Sequence, residues 1–313
     1  MPMPNGTEQK QAMPSSPAFM FWSLSTAALT LGLIVFGAVV RVTDSGLGCG
    51  SDWPLCNGTL FPPLDNITAW IEWLHRLFAA LIGLFGLATL AVAWRRYRQV
   101  DRRVLSMTVT AAILFVLQSG LGAVVVFLEL PPTFVTLHLG GAMLLMAALL
   151  TAAVLAGHKP SAVERVDSVP MLAAANAAMA FLVILTGALV RGSGATLACT
   201  TWPLCDGGAV LPFDQSLLAV INMIHRLSVA AMSIMLVILI GQVYRKREQA
   251  LIRRIALGAA ALQILQIGVG ALFVFSAAGR EWGAVHVGLA AAVWGMLVTL
   301  TALEYINRRS VQG

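Results

Sequence analysis

Charged side chains are scarce in this sequence. Asp, Glu, Lys and Arg make up 11% of its 313 residues, whereas 58% are hydrophobic. Because a soluble globular domain carries about 25% charged residues, this shortage excludes that class and indicates a polytopic membrane protein surrounded by lipid. The net charge of +6 does not indicate a nucleic-acid partner, since the basic residues cluster in short connections between apolar segments.

Lys and Arg are absent from two long connections, 42–67 and 192–215, and are concentrated in 95–103 and 245–254. Basic connections remain on the cytoplasmic side, so the first two connections face outward. The apolar segments have the length of about 20 residues that spans a bilayer. Eight of them predict an all-α protein of the cell membrane with both termini cytoplasmic, and they begin near positions 19, 69, 105, 133, 170, 217, 251 and 283.

The sequence repeats itself after about half its length. Because each half has four spans, the sequence predicts two parallel four-helix bundles. The predicted divisions are a cytoplasmic tail at 1–18 rather than a signal peptide, halves at 19–156 and 170–306, a cytoplasmic linker at 157–169 and a second tail at 307–313. The matching segments are 37–41 with 187–191, 53–56 with 202–205, 118–122 with 266–270, and 137–140 with 285–288.

Four of the five histidines occupy equivalent places in the repeat: His75 and His138 in the first half, His225 and His286 in the second. Each lies inside a predicted span, at a similar depth from its outer end. Two facing helices with histidines at one depth can ligate one haem iron from opposite sides. The sequence therefore leaves room for two haems near the outer face.

Other interpretations of the histidines remain open. Each can be a packed residue that hydrogen-bonds between helices. Zinc or copper is the lesser metal interpretation, because two histidines per half leave a zinc site short of its tetrahedral ligand set. Gly140 and Gly288 remove bulk beside the histidines, either for a flat macrocycle or for close helix packing.

One ionisable group breaks the symmetry of the repeat. Glu72 lies three residues before His75, on the same helical face, and Asn222 stands at the equivalent place before His225. An ionisable residue inside a membrane span indicates a functional site. A reacting site needs a proton-transfer group or a cation stabiliser, whereas a site that only holds a cofactor does not. The asymmetry predicts that the first half carries the reaction.

Four arginines lie near the outer ends of the spans. They can pair with haem propionates or extend to the membrane interface. The two interpretations remain open for Arg41, Arg76, Arg191 and Arg226.

All four cysteines lie in the two outward connections. An oxidising compartment favours disulfides, which predicts that Cys49 pairs with Cys56 and Cys199 with Cys205. Each bond can staple its loop, and a redox role for the first pair is the alternative. A zinc site of four cysteines is disfavoured, because the two loops need not converge.

From Arg41 to Trp294 the chain resembles the haem A synthases. The paired histidines, the single Glu72 and the Trp-Pro-Leu-Cys loops carry the resemblance. It implies oxidation of the C8 methyl group of haem O to a formyl group, giving haem A for cytochrome oxidase. It also implies that His225 and His286 ligate a haem b cofactor, that His75 and His138 ligate the substrate, and that Glu72 is the catalytic carboxylate.

Two alternative functions remain. A di-haem b cytochrome for electron transfer also uses paired histidines, but its haems usually lie at different depths. A transporter would favour broken helices and sites near the midplane. An association with haem O synthase is expected because the substrate is too apolar to diffuse through water, and the sequence does not identify the electron acceptor.

Overall fold

Eight long helices form the fold in a computed structural model that describes residues 16–158 and 167–309. Each is long and apolar enough to span a membrane, so the protein is a multi-pass membrane protein. The helices are α1 (Pro17–Val42), α2 (Ile67–Tyr97), α3 (Arg102–Phe127), α4 (Pro132–Gly157), α5 (Val169–Gly192), α6 (Leu217–Lys246), α7 (Ala250–Phe275) and α8 (Arg280–Arg309).

The all-helical fold class is confirmed, since residues 16–158 and 167–309 contain no strand. Every helix begins within three residues of its predicted start. Polar residues fix several of these starts by accepting a hydrogen bond from the first turn, as Asn66 does from the backbone N–H of Ala69 at 3.1 Å. The second outward loop contains two short 3₁₀ helices that the sequence did not predict, Ala195–Leu197 and Asp206–Gly208.

The two halves are packed together, not separate. The largest hydrophobic core contains Ile34 and Met143 from the first half and Leu297 from the second. The indole N–H of Trp294 donates to the carbonyl of Met143 at 3.2 Å, which joins α8 to α4. The division into halves at 19–156 and 170–306 stays a prediction, and positions 1–15, 159–166 and 310–313 of the predicted tails and linker lie outside the described residues.

Gly140 and Gly288 serve the packing between halves. A Cβ atom on Gly140 would lie 3.2 Å from Leu185 of α5, and one on Gly288 would lie 3.0 Å from Val35 of α1. These glycines therefore allow helices of different halves to approach closely, so of the two interpretations the structure supports helix packing.

A buried ion cluster ties the second half together at the end opposite the cysteine loops. Arg247 follows α6 and donates from Nη1 to Asp167, before α5, at 2.7 Å and from Nε to Glu304 of α8 at 2.9 Å. Burial alone would raise the pKa of Asp167, but hydrogen bonds from Arg247 lower it. Asp167 therefore stabilises the fold above the ordinary carboxyl pKa of about 3.9, and this contribution is lost as the pH falls through the lowered value.

The Arg247→Met variant should be strongly destabilised. Removing the guanidinium leaves two carboxylates without their cation, and breaking a buried pair in this way costs about 3–5 kcal/mol. Thermal unfolding in detergent measures the effect. Arg103→Met is the matched control, because the side chain of Arg103 is 51% exposed in its pair with Asp101 and should contribute less than about 1 kcal/mol. Equal melting temperatures for the two variants would contradict the prediction.

Candidate functional site

A cavity of about 1690 Å³ lies between the helices and extends into both halves. Ligand pockets usually measure about 300–1,000 Å³, so this cavity has room for more than one ligand of that size. All four predicted histidines line it, namely His75 on α2, His138 on α4, His225 on α6 and His286 on α8. The structure therefore brings these four side chains to one cavity.

In the first half, each of the two histidines faces a glycine on a neighbouring helix. A Cβ atom on Gly37 of α1 would lie 3.2 Å from Cε1 of His75, and one on Gly122 of α3 would lie 3.1 Å from Cε1 of His138. Contacts this short are tighter than ordinary van der Waals separation, so a side chain there would push the imidazole away. The glycines leave room for each ring to stand against the helix.

The second half repeats this arrangement. A Cβ atom on Gly187 of α5 would lie 3.1 Å from Cε1 of His225, and one on Gly270 of α7 would lie 3.0 Å from Cε1 of His286. These glycines stand at the positions that match Gly37 and Gly122 in the repeat.

The surroundings of the first histidine of each pair differ between the halves. The hydroxyl of Thr186 donates to the carbonyl of Val183 at 2.9 Å, so its oxygen accepts from Nδ1–H of His225 at 3.0 Å. This places the proton on Nδ1 and leaves the Nε2 lone pair free for a metal. At the equivalent place the ring of Phe36 stacks on His75, with centroids 6.2 Å apart, and Nδ1 of His75 has no hydrogen-bond partner.

Glu72 is buried on the cavity wall and is 4% exposed. One carboxylate oxygen accepts from the backbone N–H of Cys49 at 2.9 Å, and the other accepts from Arg76 at 2.5 Å. Asn222 is a hydrogen-bond donor instead of an acceptor, because its amide donates to the carbonyl of Ala195 at 2.8 Å. Both residues anchor the outward loop to a helix, but only Glu72 brings a carboxylate to the cavity.

Arg76 and Arg226 hold the outward loops. Arg76 donates to the carbonyl of Leu55 at 2.7 Å, and Arg226 donates to the carbonyls of Thr201 at 2.6 Å and Cys199 at 3.1 Å. Both arginines also line the cavity, so the two interpretations remain open beside this loop contact. Arg41 and Arg191 also line the cavity.

Both cysteine pairs form disulfides as predicted, Cys49 with Cys56 and Cys199 with Cys205. The first is adjacent to the site, because the backbone N–H of Cys49 binds Glu72. In the second loop, hydrogen bonds from Thr200 hold the pKa of Asp206 below its usual range. Each loop is therefore closed by a disulfide and held by hydrogen bonds close to the helices.

The ligand set fits haem better than a bare metal ion. Within residues 16–158 and 167–309 there is no group of three or more His, Cys, Asp or Glu side chains that could hold a metal. A haem needs two protein ligands at most, because its macrocycle supplies the in-plane ligands. The buried Nδ1 atoms of His75, His138 and His286 have no hydrogen-bond partner, whereas Nδ1 of His225 contacts Thr186 of the neighbouring helix at 3.0 Å.

Two contributors to the site were not found by sequence reasoning, Phe36 and Thr186. They immediately precede the matching segments 37–41 and 187–191, so a comparison of the repeat extended by one residue would have shown a difference beside the histidines. His158 lies away from the cavity lining, and its Nε2 is 3.0 Å from Asn307 near the end of α8.

Comparisons with known proteins show the family of this chain. A family model described as cytochrome oxidase assembly protein matches residues 20–298. The "Heme A synthase" of Symbiobacterium thermophilum is 35% identical over 92% of this chain and 96% of that protein. The "Heme A synthase" of Geobacillus thermodenitrificans is 32% identical over 92% of each chain. The chain therefore belongs to the haem A synthase family of cytochrome oxidase assembly proteins.

Proposed function

We propose that this protein is a haem A synthase that converts haem O to haem A by oxidising the C8 methyl group to a formyl group. The observation that carries the proposal is one cavity lined by two matched histidine pairs, with a single buried Glu on its wall. Membranes that contain the protein and haem O should form haem A, whereas membranes without the protein should not.

The cofactor site is assigned to the second half. Thr186 fixes the tautomer of His225, and this suits a permanently held haem b between His225 and His286. When bound, haem b supplies one-electron redox chemistry. The second half has Asn222 in place of the carboxylate, which is sufficient for a site that only holds a cofactor.

The substrate site is assigned to the first half, where His75 and His138 would ligate the iron of haem O. Both histidines of this half lack a hydrogen-bond partner at Nδ1, whereas the second half has one such bond, at His225, and none at His286. The pair with fewer fixed rings suits a substrate that must enter and leave.

Glu72 is the proton-accepting group in this proposal. Oxidation of a methyl group releases protons, and a carboxylate on the wall can accept one or stabilise a positive charge that develops on the substrate. Two other carboxylates on the cavity, Asp44 and Glu129, are exposed. Arg76 and the N–H of Cys49 hold Glu72 in place, so the first loop and its disulfide position the carboxylate.

The location of the reaction follows from charge and cysteine usage. The loops that carry the disulfides lack Lys and Arg and lie at the opposite end of the helices from the Arg-rich connections. We therefore place the loops and both haem sites toward the outer face of the cell membrane. Haem O would reach the site within the membrane, which favours an association with haem O synthase.

The Thr186→Val variant tests the assignment of the cofactor. Valine keeps the shape of threonine but cannot accept the Nδ1 proton of His225, and loss of such a partner typically weakens metal-site affinity about 10–100-fold. Haem b retention during washing with a haem-binding competitor measures the effect. Thr136→Val, which removes only a hydroxyl that bonds within α4, should retain haem b as the wild type does. Identical retention in both variants would contradict the assignment.

A further inference from the structure

The cavity is deeper in the first half than in the second. In the first half its lining reaches four positions beyond the histidines, one on each of α1, α2, α3 and α4. The equivalent residues of the second half do not line the cavity, although both sets are buried. The four lining residues are Thr26, Thr89, Thr108 and Leu149, and their equivalents outside the lining are Asn176, Leu239, Ala256 and Leu297.

Measured along the helices, the difference is large. The deepest lining residue of α2 is Thr89, whereas that of α6 is Ile234, which is equivalent to Leu84. At 1.5 Å per residue the first-half cavity is therefore about 7.5 Å deeper along this helix. We call this extra space the deep extension, defined by Thr26, Gly86, Thr89, Thr108 and Leu149.

Side-chain size explains why the second half is filled. Gly86 lines the deep extension, and a Cβ atom added there would meet nothing within 4 Å. Its equivalent, Leu236, is 2% exposed in the core. Asn176 adds to the filling, because its amide donates to the carbonyl of Met235 at 3.3 Å and thereby bridges α5 to α6.

The closed end of the deep extension needs no polar partner. The hydroxyls of Thr26 and Thr89 lie 3.0 Å apart, and each also lies within hydrogen-bond distance of a carbonyl of its own helix, so both protons have an acceptor. The hydroxyl of Thr108 likewise donates to the carbonyl of Val104 at 2.9 Å. Because these polar groups are already satisfied, an apolar ligand can occupy the space without stranding a buried donor or acceptor.

The deep extension is reachable from the lipid. Leu84 and Leu87 of α2 and Val116 of α3 line the cavity, and each is more than 60% exposed, more than an enclosed wall would allow. The cavity therefore opens between α2 and α3, where a ligand dissolved in the membrane can enter sideways.

We propose that the deep extension binds the farnesyl chain of haem O and so selects the substrate over haem B, which lacks this chain. The inference rests on the proposed function. Thr89 lies 14 residues beyond His75 on α2, so the cavity lining extends about 21 Å along this helix beyond the ligand, a length that suits a long isoprenoid. A tailless haem b needs less space than this, and the second-half lining ends at Ile234, nine residues or about 13.5 Å beyond His225.

The test is the Gly86→Leu variant, which places in the first half the leucine that Leu236 provides at the equivalent position of the second half. Leucine is a better helix former than glycine, and there is open space for it, so the fold should be retained. Gly32→Leu is the matched control, because Gly32 is an exposed helical glycine with open space around it that does not line the cavity. Retention of the copurifying haem b checks the fold of both variants.

Affinities of haem O and haem B for the first-half site are measured separately by optical titration in detergent. The same titration of the His75→Ala variant gives the binding at other sites, which is subtracted. We expect Gly86→Leu to weaken haem O binding at least about tenfold, the loss of roughly two buried CH₂ groups, and to leave haem B binding within about twofold. Gly32→Leu should bind both as the wild type does.

Two outcomes would overturn the inference. Unchanged haem O affinity in Gly86→Leu would place the chain elsewhere, and an equal loss for both haems would show that Gly86 shapes the space for the macrocycle. The proposed function is tested separately, since binding is measured without turnover. If the wild type bound haem O but formed no haem A, the enzyme assignment would fail while the binding result stood.

Discussion

The His225→Ala and His286→Ala variants should purify without haem b. Each substitution removes one of the two ligands assigned to the iron, and its effect should exceed the 10–100-fold loss caused by removing a partner of a ligand. The haem content per protein, measured by the pyridine haemochrome spectrum and by chromatography of the extracted haem, should therefore fall to background. Haem A formation should be lost with it, because the assigned cofactor is absent.

His158→Ala is the matched control for these variants. His158 follows α4 and bonds to Asn307, away from the cavity, so its loss should leave the pigment unchanged. Full haem b content in both His225→Ala and His286→Ala would move the cofactor to the first half. Loss of pigment in His158→Ala as well would show that the assay reports folding and not ligation.

The Glu72→Gln variant should lose haem A formation by at least about a hundredfold and keep haem b. General acid–base groups contribute about 10²–10⁴-fold, and glutamine cannot accept a proton as the carboxylate does. The amide oxygen of glutamine can still accept the hydrogen bond from Cys49, so the loop should stay in place. Turnover of haem O in purified enzyme, with haem b content measured alongside, gives both results.

This substitution separates the proposed chemistry from loop anchoring, because Glu72 anchors the first loop in the structure and is also the proposed proton acceptor. Asn222→Ala is the control, since it removes the equivalent loop anchor to Ala195 without changing a carboxylate. We expect it to retain most haem A formation. Wild-type turnover in Glu72→Gln would show that Glu72 is an anchor only, and loss of haem b in that variant would show that it supports the whole fold.

Sequence reasoning predicted the helices and a histidine pair in each half at matching depth, but not that one cavity joins the two pairs. Both depend on local or strongly periodic signals: apolar length sets the spans, and the repeat at 75 and 225 or 138 and 286 sets equivalent depths. The cysteine pairs were also predictable, because each lies within one short loop. Glu72 was visible as the charge that breaks the repeat.

The remaining features depend on packing between distant segments. The depth of the cavity is set jointly by four helices, so no single stretch of sequence shows that Gly86 borders space while Leu236 fills it. The use of Arg76 and Arg226 by loop carbonyls depends on how the loops fold back, which hydropathy does not describe. The buried cluster around Arg247 joins segments 57 and 80 residues apart.

The most direct test of the proposed function is to express the protein in a host that makes haem O but no haem A, and to separate the extracted haems by chromatography with mass detection. The wild type should yield haem A or a hydroxylated haem O intermediate, and Glu72→Gln should yield haem O with haem B. Haem B alongside unconverted haem O in wild-type membranes would contradict the proposal and favour a di-haem electron-transfer protein.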